Sequence, residues 1–344
     1  MSDNTPNSLP EHDRGLLLAL NELTEFHASR GQLYANFIDS VFDSRSASCL
    51  EEVPYLPVRA FKNSNLKSVH ESEIRYTMSS SGTSGLRKSR ISIDAETSKL
   101  QSRALANNFS SMFGKSRRPL LAISSILDSE GFTAQRAAIN GFSALSSGTS
   151  FALRPDGSLN TETLEFFMAK HASEPFLVLG FTFQIWQFLQ AIKSVGIKMD
   201  FSRALILHGG GWKKLEHIRV SDLILKQTAA EVLGCKEVRN YYGMVEQTGS
   251  IYFECSFGNL HAPIEGGAII RNPITLEPQP PGAEGLVQVL STIQRSYPGH
   301  SLLTEDLGIL GEFNGCECGR SSSTLKILGR ISNAEIRGCS DAII

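Results

Sequence analysis

No apolar run in this 344-residue chain reaches the roughly 18 residues that a bilayer-spanning helix needs, so a membrane span is not expected. The N-terminus, Met-Ser-Asp-Asn-Thr-Pro, lacks the basic-then-apolar pattern of a secretion signal. Cysteine is sparse, with six residues in all. That is no disulfide framework for such a length, and a cytoplasmic protein whose cysteines are thiols or metal ligands is expected. Neither sign of charge dominates: 33 Lys and Arg against 35 Asp and Glu leave a formal net charge of −2. A broad basic surface for nucleic acid is therefore not implied. Internal repeats, low-complexity tracts and the GxxxxGK[ST] phosphate loop are also missing. What remains is an ordinary globular composition, 41% hydrophobic and 20% charged, in a chain long enough for two or three domains.

Three textures follow one another along the chain. From Glu11 to about Phe42 apolar residues recur at helical spacing, at Leu16, Leu17, Leu20, Leu23 and Phe26. Residues 1–70 are read as a largely helical N-terminal segment. In 71–257, short apolar runs alternate with helical stretches. Pro119–Ile123, Phe176–Leu179 and Arg203–Leu207 read as buried strands, and Thr161–His171, Thr182–Ser194 and Leu215–Leu233 as helices. Such alternation predicts an α/β core with a largely parallel sheet. Beyond about Gly258 glycine and proline become frequent and strands shorten, so 258–344 is read as β-rich.

The most informative stretch is Ser79-Ser80-Ser81-Gly82-Thr83-Ser84-Gly85-Leu86-Arg87-Lys88. Its glycines let backbone N–H groups approach an oxyanion closely, and its hydroxyls add donors without bulk. The strand candidates Tyr76–Met78 and Arg90–Asp94 flank it, and a long helix is expected from Ala95 to Phe113. Four further segments carry polar chemistry. His208-Gly209-Gly210-Gly211-Trp212-Lys213-Lys214 follows a predicted parallel strand, where open α/β sheets bind ligands. In Tyr241-Tyr242-Gly243-Met244-Val245-Glu246 an aromatic ring can stack on a base, and the carboxylate can hold magnesium. Thr304-Glu305-Asp306-Leu307-Gly308 offers acceptors for ribose hydroxyls. Gly329-Arg330-Ile331-Ser332-Asn333-Ala334-Glu335-Ile336-Arg337-Gly338 is a short turn rich in donors.

In this order and spacing the segments resemble the adenylate-forming superfamily of acyl-CoA synthetases and luciferases. The segment Pro54–Asn63 (PYLPVRAFKN), the HGGGWKK run and the terminal EIRGCSD are similar to one branch of it. That branch is the acyl-protein synthetases of the fatty-acid reductase system of luminous bacteria. The resemblance covers the chain from about Val53 to its end. It implies the α/β N-terminal domain of an adenylate-forming enzyme, without the usual C-terminal lid and its lysine. It implies ATP and Mg2+, a carboxylic acid substrate, and two steps, adenylation followed by transfer of the acyl group to a thiol.

By the same resemblance Ser81, Gly82, Thr83, Gly85 and Lys88 belong to the phosphate loop, and Gly210 and Gly243 to the nucleotide site. Tyr242 stacks on adenine, Glu246 binds magnesium, Asp306 the ribose, and Arg330 the ribose or phosphate. Arg87 and Ser332 stand where the superfamily usually has proline and aspartate. The acyl acceptor implied is Cys339, for onward transfer to a partner reductase, with Arg337 nearby favouring the thiolate. Two other readings stand beside this one. One is a ligase delivering the acyl group to CoA, a carrier protein or an amine. The other is a nucleotide-binding subunit without turnover.

The remaining cysteines divide into two groups. Cys255 and His261 form one spaced pair and Cys316 and Cys318 another, a donor set suited to structural Zn2+. Cys49 and Cys235 have no such pattern and are expected in the core. His208 either orients a substrate carboxylate, lines the adenine pocket, or is a hydrogen-bonded strand-end histidine. Phe181, Phe183, Trp186 and Phe188 are expected either to pack a helix into the core or to line an acyl pocket, since an apolar substrate needs an aromatic-lined cleft.

Overall fold

A computed structural model describes residues 11–79, 88–125, 132–212 and 217–331. The chain forms two compact units, one of Met1–Asn108 with Met244–Ile344 and one of Phe109–Gly243.

The first unit opens with helices α1 (Glu11–Arg30) and α2 (Gln32–Val41). The amphipathic run expected to continue to Phe42 is broken at Gly31, whose backbone is extended. Glu11 and Asp13 in the first turn of α1, and Arg30 in its last, complement the helix dipole. Leu16, Leu17 and Leu20 pack with Val53, Ile269 and Leu290. A buried polar layer lies beside them. His300 Nε2 stands 3.0 Å from Thr24 Oγ1, and the His27 and His300 rings stack at 5.0 Å. Burial holds both imidazoles neutral and brings His300 down to about 3. Next come β1 (Leu56–Pro57), α3 (Ala60–Asn63), β2 (Ile74–Ser79), β3 (Arg90–Asp94) and α4 (Ala95–Phe113). Strands β2 and β3 pair antiparallel with Ser79 opposite Arg90, as the flanks of the Gly/Ser stretch predict.

The second unit contains β4 (Pro119–Ala122), β5 (Phe132–Thr133), α5 (Ala134–Ala144), β6 (Gly148–Phe151) and α6 (Thr161–His171), then β7 (Phe176–Phe181), α7 (Thr182–Val195), β8 (Ala204–Gly209), α8 (Asp222–Leu233) and β9 (Glu237–Tyr242). Its parallel strands lie in the order β6-β4-β7-β8-β9. Strands β7 and β8 are buried along their whole length, the signature of a central parallel strand covered on both faces. Phe176, Ile185, Phe188, Leu189 and Ile206 are the heart of that core. Helix α8 starts at Asp222 rather than at Leu215. Ser221 caps it by accepting a hydrogen bond from the Ile224 N–H at 3.3 Å, so the serine, not the apolar periodicity, sets its start.

The first unit closes with β10 (Tyr252–Glu254), β11 (Leu260–His261), β12 (Gly266–Arg271), β13 (Glu284–Ser291), β14 (Ser301–Leu310) and β15 (Thr324–Arg330). Strands β12-β13-β14-β15-β11-β10 lie side by side, and β1 adds in parallel to β14. The β13–β14 ladder is irregular at one place. Leu286 faces Leu307 and Gln288 faces Leu303, so Val287 alone stands opposite Thr304, Glu305 and Asp306. Such a bulge re-aims side chains that an unbroken strand would alternate between faces. Thr304 fixes it: its hydroxyl donates to Val287 O at 2.7 Å and accepts from the Asp306 N–H at 3.1 Å.

Thr304→Val keeps the branched shape and removes both bonds at a buried position. The expected cost is about 1–3 kcal/mol in urea denaturation, largely recovered by Thr304→Ser. An unchanged urea midpoint for Thr304→Val would show that the bulge is held by other contacts.

Candidate functional site

In the first unit the bulge gathers charge. The β14–β15 register sets Asp306 opposite Arg330, and Arg330 Nε donates to Asp306 Oδ1 at 3.0 Å. Glu305 pairs with Arg59, and Lys62 Nζ stands 4.0 Å from Glu305 Oε2. Burial pushes the Glu305 carboxyl up, but the Arg59 hydrogen bond and the charges of Lys62, Arg59 and Arg330 outweigh it. The net effect holds Glu305 below the usual range.

Glu246 lies in a single 3-10 turn, Val245–Gln247, and is 6% exposed. Gln247 locks that turn, its amide donating to Val289 O at 3.1 Å and Gly299 O at 2.8 Å. The Tyr297 hydroxyl donates to Glu246 O at 2.9 Å. Burial raises the Glu246 carboxyl above its ordinary value, opposed by the Ser89 hydroxyl and by the positive charges of Lys62 and Arg330. A buried carboxylate held in place by its backbone suits a divalent cation. Lys88 is exposed, two residues before β3.

In the second unit His208 is the penultimate residue of β8 and is 2% exposed. Its Nδ1 lies 3.1 Å from Thr182 Oγ1, and Nε2 stands 3.8 Å from Asp222 Oδ1. Burial, the largest influence, lowers it to about 4, so the ring is neutral. Of the readings open to His208, this hydrogen-bonded strand-end position is the one observed. Gly210 follows on the surface, and Trp212 is buried edge-on against Trp186, with ring centroids 6.1 Å apart. Tyr242 is half-buried at the end of β9, and Gly243 is exposed. Phe188 packs into the core as expected, while Phe181 closes β7 instead of joining the helix.

The two Cys/His pairs come together. The sulfurs of Cys255, Cys316 and Cys318 and a ring nitrogen of His261 all lie within 4.8 Å of one another. Cys255 and Cys316 sulfurs are 3.7 Å apart, far from a disulfide. Cys318 Sγ is 3.2 Å from His261 Nε2. Tetrahedral zinc, with ligand bonds of about 2.0–2.3 Å, needs donor separations of this size. His261 Nδ1 bonds Ser322 Oγ at 2.8 Å, which orients the ring and leaves Nε2 toward the thiols. Each cysteine arm turns through a left-handed glycine, Gly258 with φ 80° and Gly319 with φ 75°. The cluster ties the β14–β15 connection to β10 and β11, all within the first unit. Cys235 is fully buried, whereas Cys49 is only half-buried rather than in the core.

Ser81, Gly82, Thr83, Gly85, Lys213, Lys214 and Cys339 lie outside the described residues. Glu246, Asp306 and Arg330 belong to one unit, and two of them touch directly. Sequence reasoning missed Arg59, Lys62, Ser89 and Tyr297. Arg59 and Lys62 stand in the PYLPVRAFKN segment, whose two cations three residues apart were the available signal. No helix among the described residues is long and apolar enough to cross a membrane.

Comparison with known proteins bears on the family and the fold. The family described as acyl-protein synthetase, LuxE, matches residues 3–344, and the chain belongs to it as a ligase. A long-chain-fatty-acid–luciferin-component ligase of Aliivibrio fischeri is 22% identical over 93% of this chain and 85% of its own. The Vibrio harveyi protein of the same name is 24% identical over 92% of this chain and 83% of its own. Among solved structures, 2-hydroxyisobutyryl-CoA ligase in its thioesterification state superposes with a TM-score of 0.77 at 16% identity. That match covers 96% of this chain and 70% of the ligase. The fold is thus that of the N-terminal part of adenylate-forming ligases.

The Glu246 environment has a testable sign. A carboxyl whose folded-state pKa is raised contributes stability that is present below its unfolded value and is lost as pH rises through the folded one. Ionised Glu246 therefore weakens the ligand-free protein at neutral pH. Glu246→Gln is expected to raise the urea midpoint at pH 7.5, and the gap should narrow toward pH 4.5. A variant less stable than wild type at pH 7.5 would show that the ionised carboxylate is fully compensated.

Proposed function

Starting from that family, we propose that the protein activates a long-chain fatty acid with ATP and passes the acyl group to its own thiol at Cys339. The observation that carries the reading is the pairing of Asp306 with Arg330 on the bulged strand, in the same unit as buried Glu246. The names of the Aliivibrio fischeri and Vibrio harveyi relatives support a long-chain fatty acid as substrate. In the first step a carboxylate oxygen attacks the α-phosphorus of ATP, the bond to the β-phosphate bridging oxygen breaks, and pyrophosphate leaves. In the second the Cys339 thiolate attacks the acyl carbonyl and AMP leaves. The thiol proton is lost to solvent, and the thioester serves a partner reductase.

Each residue has a physical task. Asp306 accepts from ribose hydroxyls, and Arg330 orients Asp306 and faces phosphate. Tyr242 stacks on the base, and Gly210 and Gly243 leave room for the nucleotide. Ser81, Gly82, Thr83, Gly85 and Lys88 wrap the phosphates with donors and positive charge. Glu246 holds magnesium, which when bound offsets negative charge on the phosphates. ATP–pyrophosphate exchange with a panel of carboxylic acids tests the first step. Long-chain acids are expected to support it, and Glu246→Gln to lower it about a thousandfold. Cys339→Ala is expected to keep exchange and lose hydroxylamine-sensitive labelling by a radioactive acid. Labelling that survives in this variant would move the acceptor elsewhere, and no exchange with any acid would leave a nucleotide-binding subunit.

Cys255, His261, Cys316 and Cys318 are proposed to hold one structural zinc ion, filling all four positions with protein ligands. Elemental analysis is expected to find about one zinc per chain, with chelation lowering the melting temperature. Cys318→Ser should lose both metal and stability. Full stability in metal-free wild type would leave the four residues as ordinary side chains.

A further inference from the structure

The segment Pro54–Asn63 delivers two cations that the reaction above leaves without a task. Leu56 and Pro57 pair in parallel with Leu302 and Leu303 of β14, and the Val58 N–H donates to Leu303 O at 2.9 Å. The chain then turns through α3, closed by the Ser64 N–H on Ala60 O at 2.9 Å. Phe61 is 1% exposed and meets Tyr297 edge-on, with ring centroids 5.8 Å apart. Tyr297 in turn holds the Glu246 carbonyl. The hook is thus fastened twice, to the strand that carries Glu305 and Asp306 and to the ring that positions Glu246. Arg59 and Lys62, three residues apart, leave one side of a helical turn, and both reach toward Glu305.

The two cations are not equivalent. Arg59 Nε donates directly to Glu305 and satisfies its charge. Lys62 Nζ, at 4.0 Å, is beyond hydrogen-bond range of the same carboxylate, and its side chain is 34% exposed. An ammonium held 4.0 Å from Glu305, the neighbour in sequence of the Asp306 assigned to ribose, while Arg59 already answers Glu305, is a charge available to an anion. Adenylation brings one, the triphosphate, and releases another, pyrophosphate. A compact ammonium on a flexible stem can follow both.

We propose that Lys62 is a catalytic residue that contacts the phosphates of ATP, and that Arg59 is the positioning residue that engages Glu305 and leaves Lys62 to them. This rests on the adenylation reading. The test is equilibrium calorimetry of ATP, pyrophosphate and adenosine at one fixed magnesium concentration, on wild type, Lys62→Met and Lys62→Arg. Lys62→Met is expected to weaken ATP and pyrophosphate about tenfold or more and to leave adenosine unchanged. Lys62→Arg should restore most of the loss, with all three melting temperatures alike. In exchange assays the loss should appear in KM for ATP or in kcat and not in KM for the acid. Equal ATP affinity in Lys62→Met and wild type overturns the proposal, as does an equal loss for adenosine or a loss confined to the acid. If wild type binds ATP yet no acid supports exchange, adenylation fails while the ATP–adenosine difference still judges Lys62. If wild type does not bind ATP, both fall.

Discussion

The Thr304 hydroxyl, bonded at once to Val287 O and the Asp306 N–H, is the contact on which the candidate site depends. A regular strand sends successive side chains to opposite faces, so Glu305 and Asp306 would part company. The bulge breaks that alternation. It lets Glu305 meet Arg59 while Asp306 meets Arg330 from the neighbouring strand. The β1 pairing ends at Leu303, one residue before the bulge begins, so the hook that bears Arg59 and Lys62 departs where the strand changes direction. Five charged side chains from three separate segments are thereby set by one irregular stretch of backbone.

Glu246 shows the opposite strategy. Its backbone is fixed from two sides, by Gln247 and by Tyr297, while its carboxyl is left in an environment that disfavours its charge. Such an arrangement costs the ligand-free fold stability and is expected of a group whose counter-ion arrives with a substrate. The Cys/His cluster is different in kind. All four donors come from short turns and strand ends of the β-rich part. They bring the long β14–β15 connection against its neighbours β10 and β11.

The elements that the sequence makes legible are those decided by local pattern. Strands β7 and β8 are continuous apolar runs, and α6 spans the residues its periodicity predicts. Where a single residue overrides the pattern, the reading slips: Gly31 divides the N-terminal helix, and Ser221 delays α8. The Cys/His pairs are legible because spacing within each pair is short and the donor types are few. The hook is not. Arg59 and Glu305 lie 246 residues apart, and nothing local to either announces a parallel pairing between a two-residue strand and β14. The bulge is equally silent, since threonine, glutamate and aspartate in a strand carry no mark of register. The Gly/Ser stretch, the most informative in the sequence, is represented in the described residues only by its paired flanks.

Assembly and chemistry draw on different interactions here. Arg330 is 70% exposed, so its pair with Asp306 is screened by water and adds little to stability. The cations are held by other means. Tyr55, Leu286 and Leu303 pack beneath the hook with Leu307 and Ile331 around them. Phe61 is buried on Tyr297, and backbone bonds seat β1 on β14. Burying apolar side chains of this size supplies on the order of 1.5–3 kcal/mol each, well above what an exposed ion pair offers. Because burial does the holding, the charges need not be spent on one another. Lys62 at 4.0 Å from Glu305 is the visible result, a cation positioned by hydrocarbon and left with its field directed at whatever anion enters.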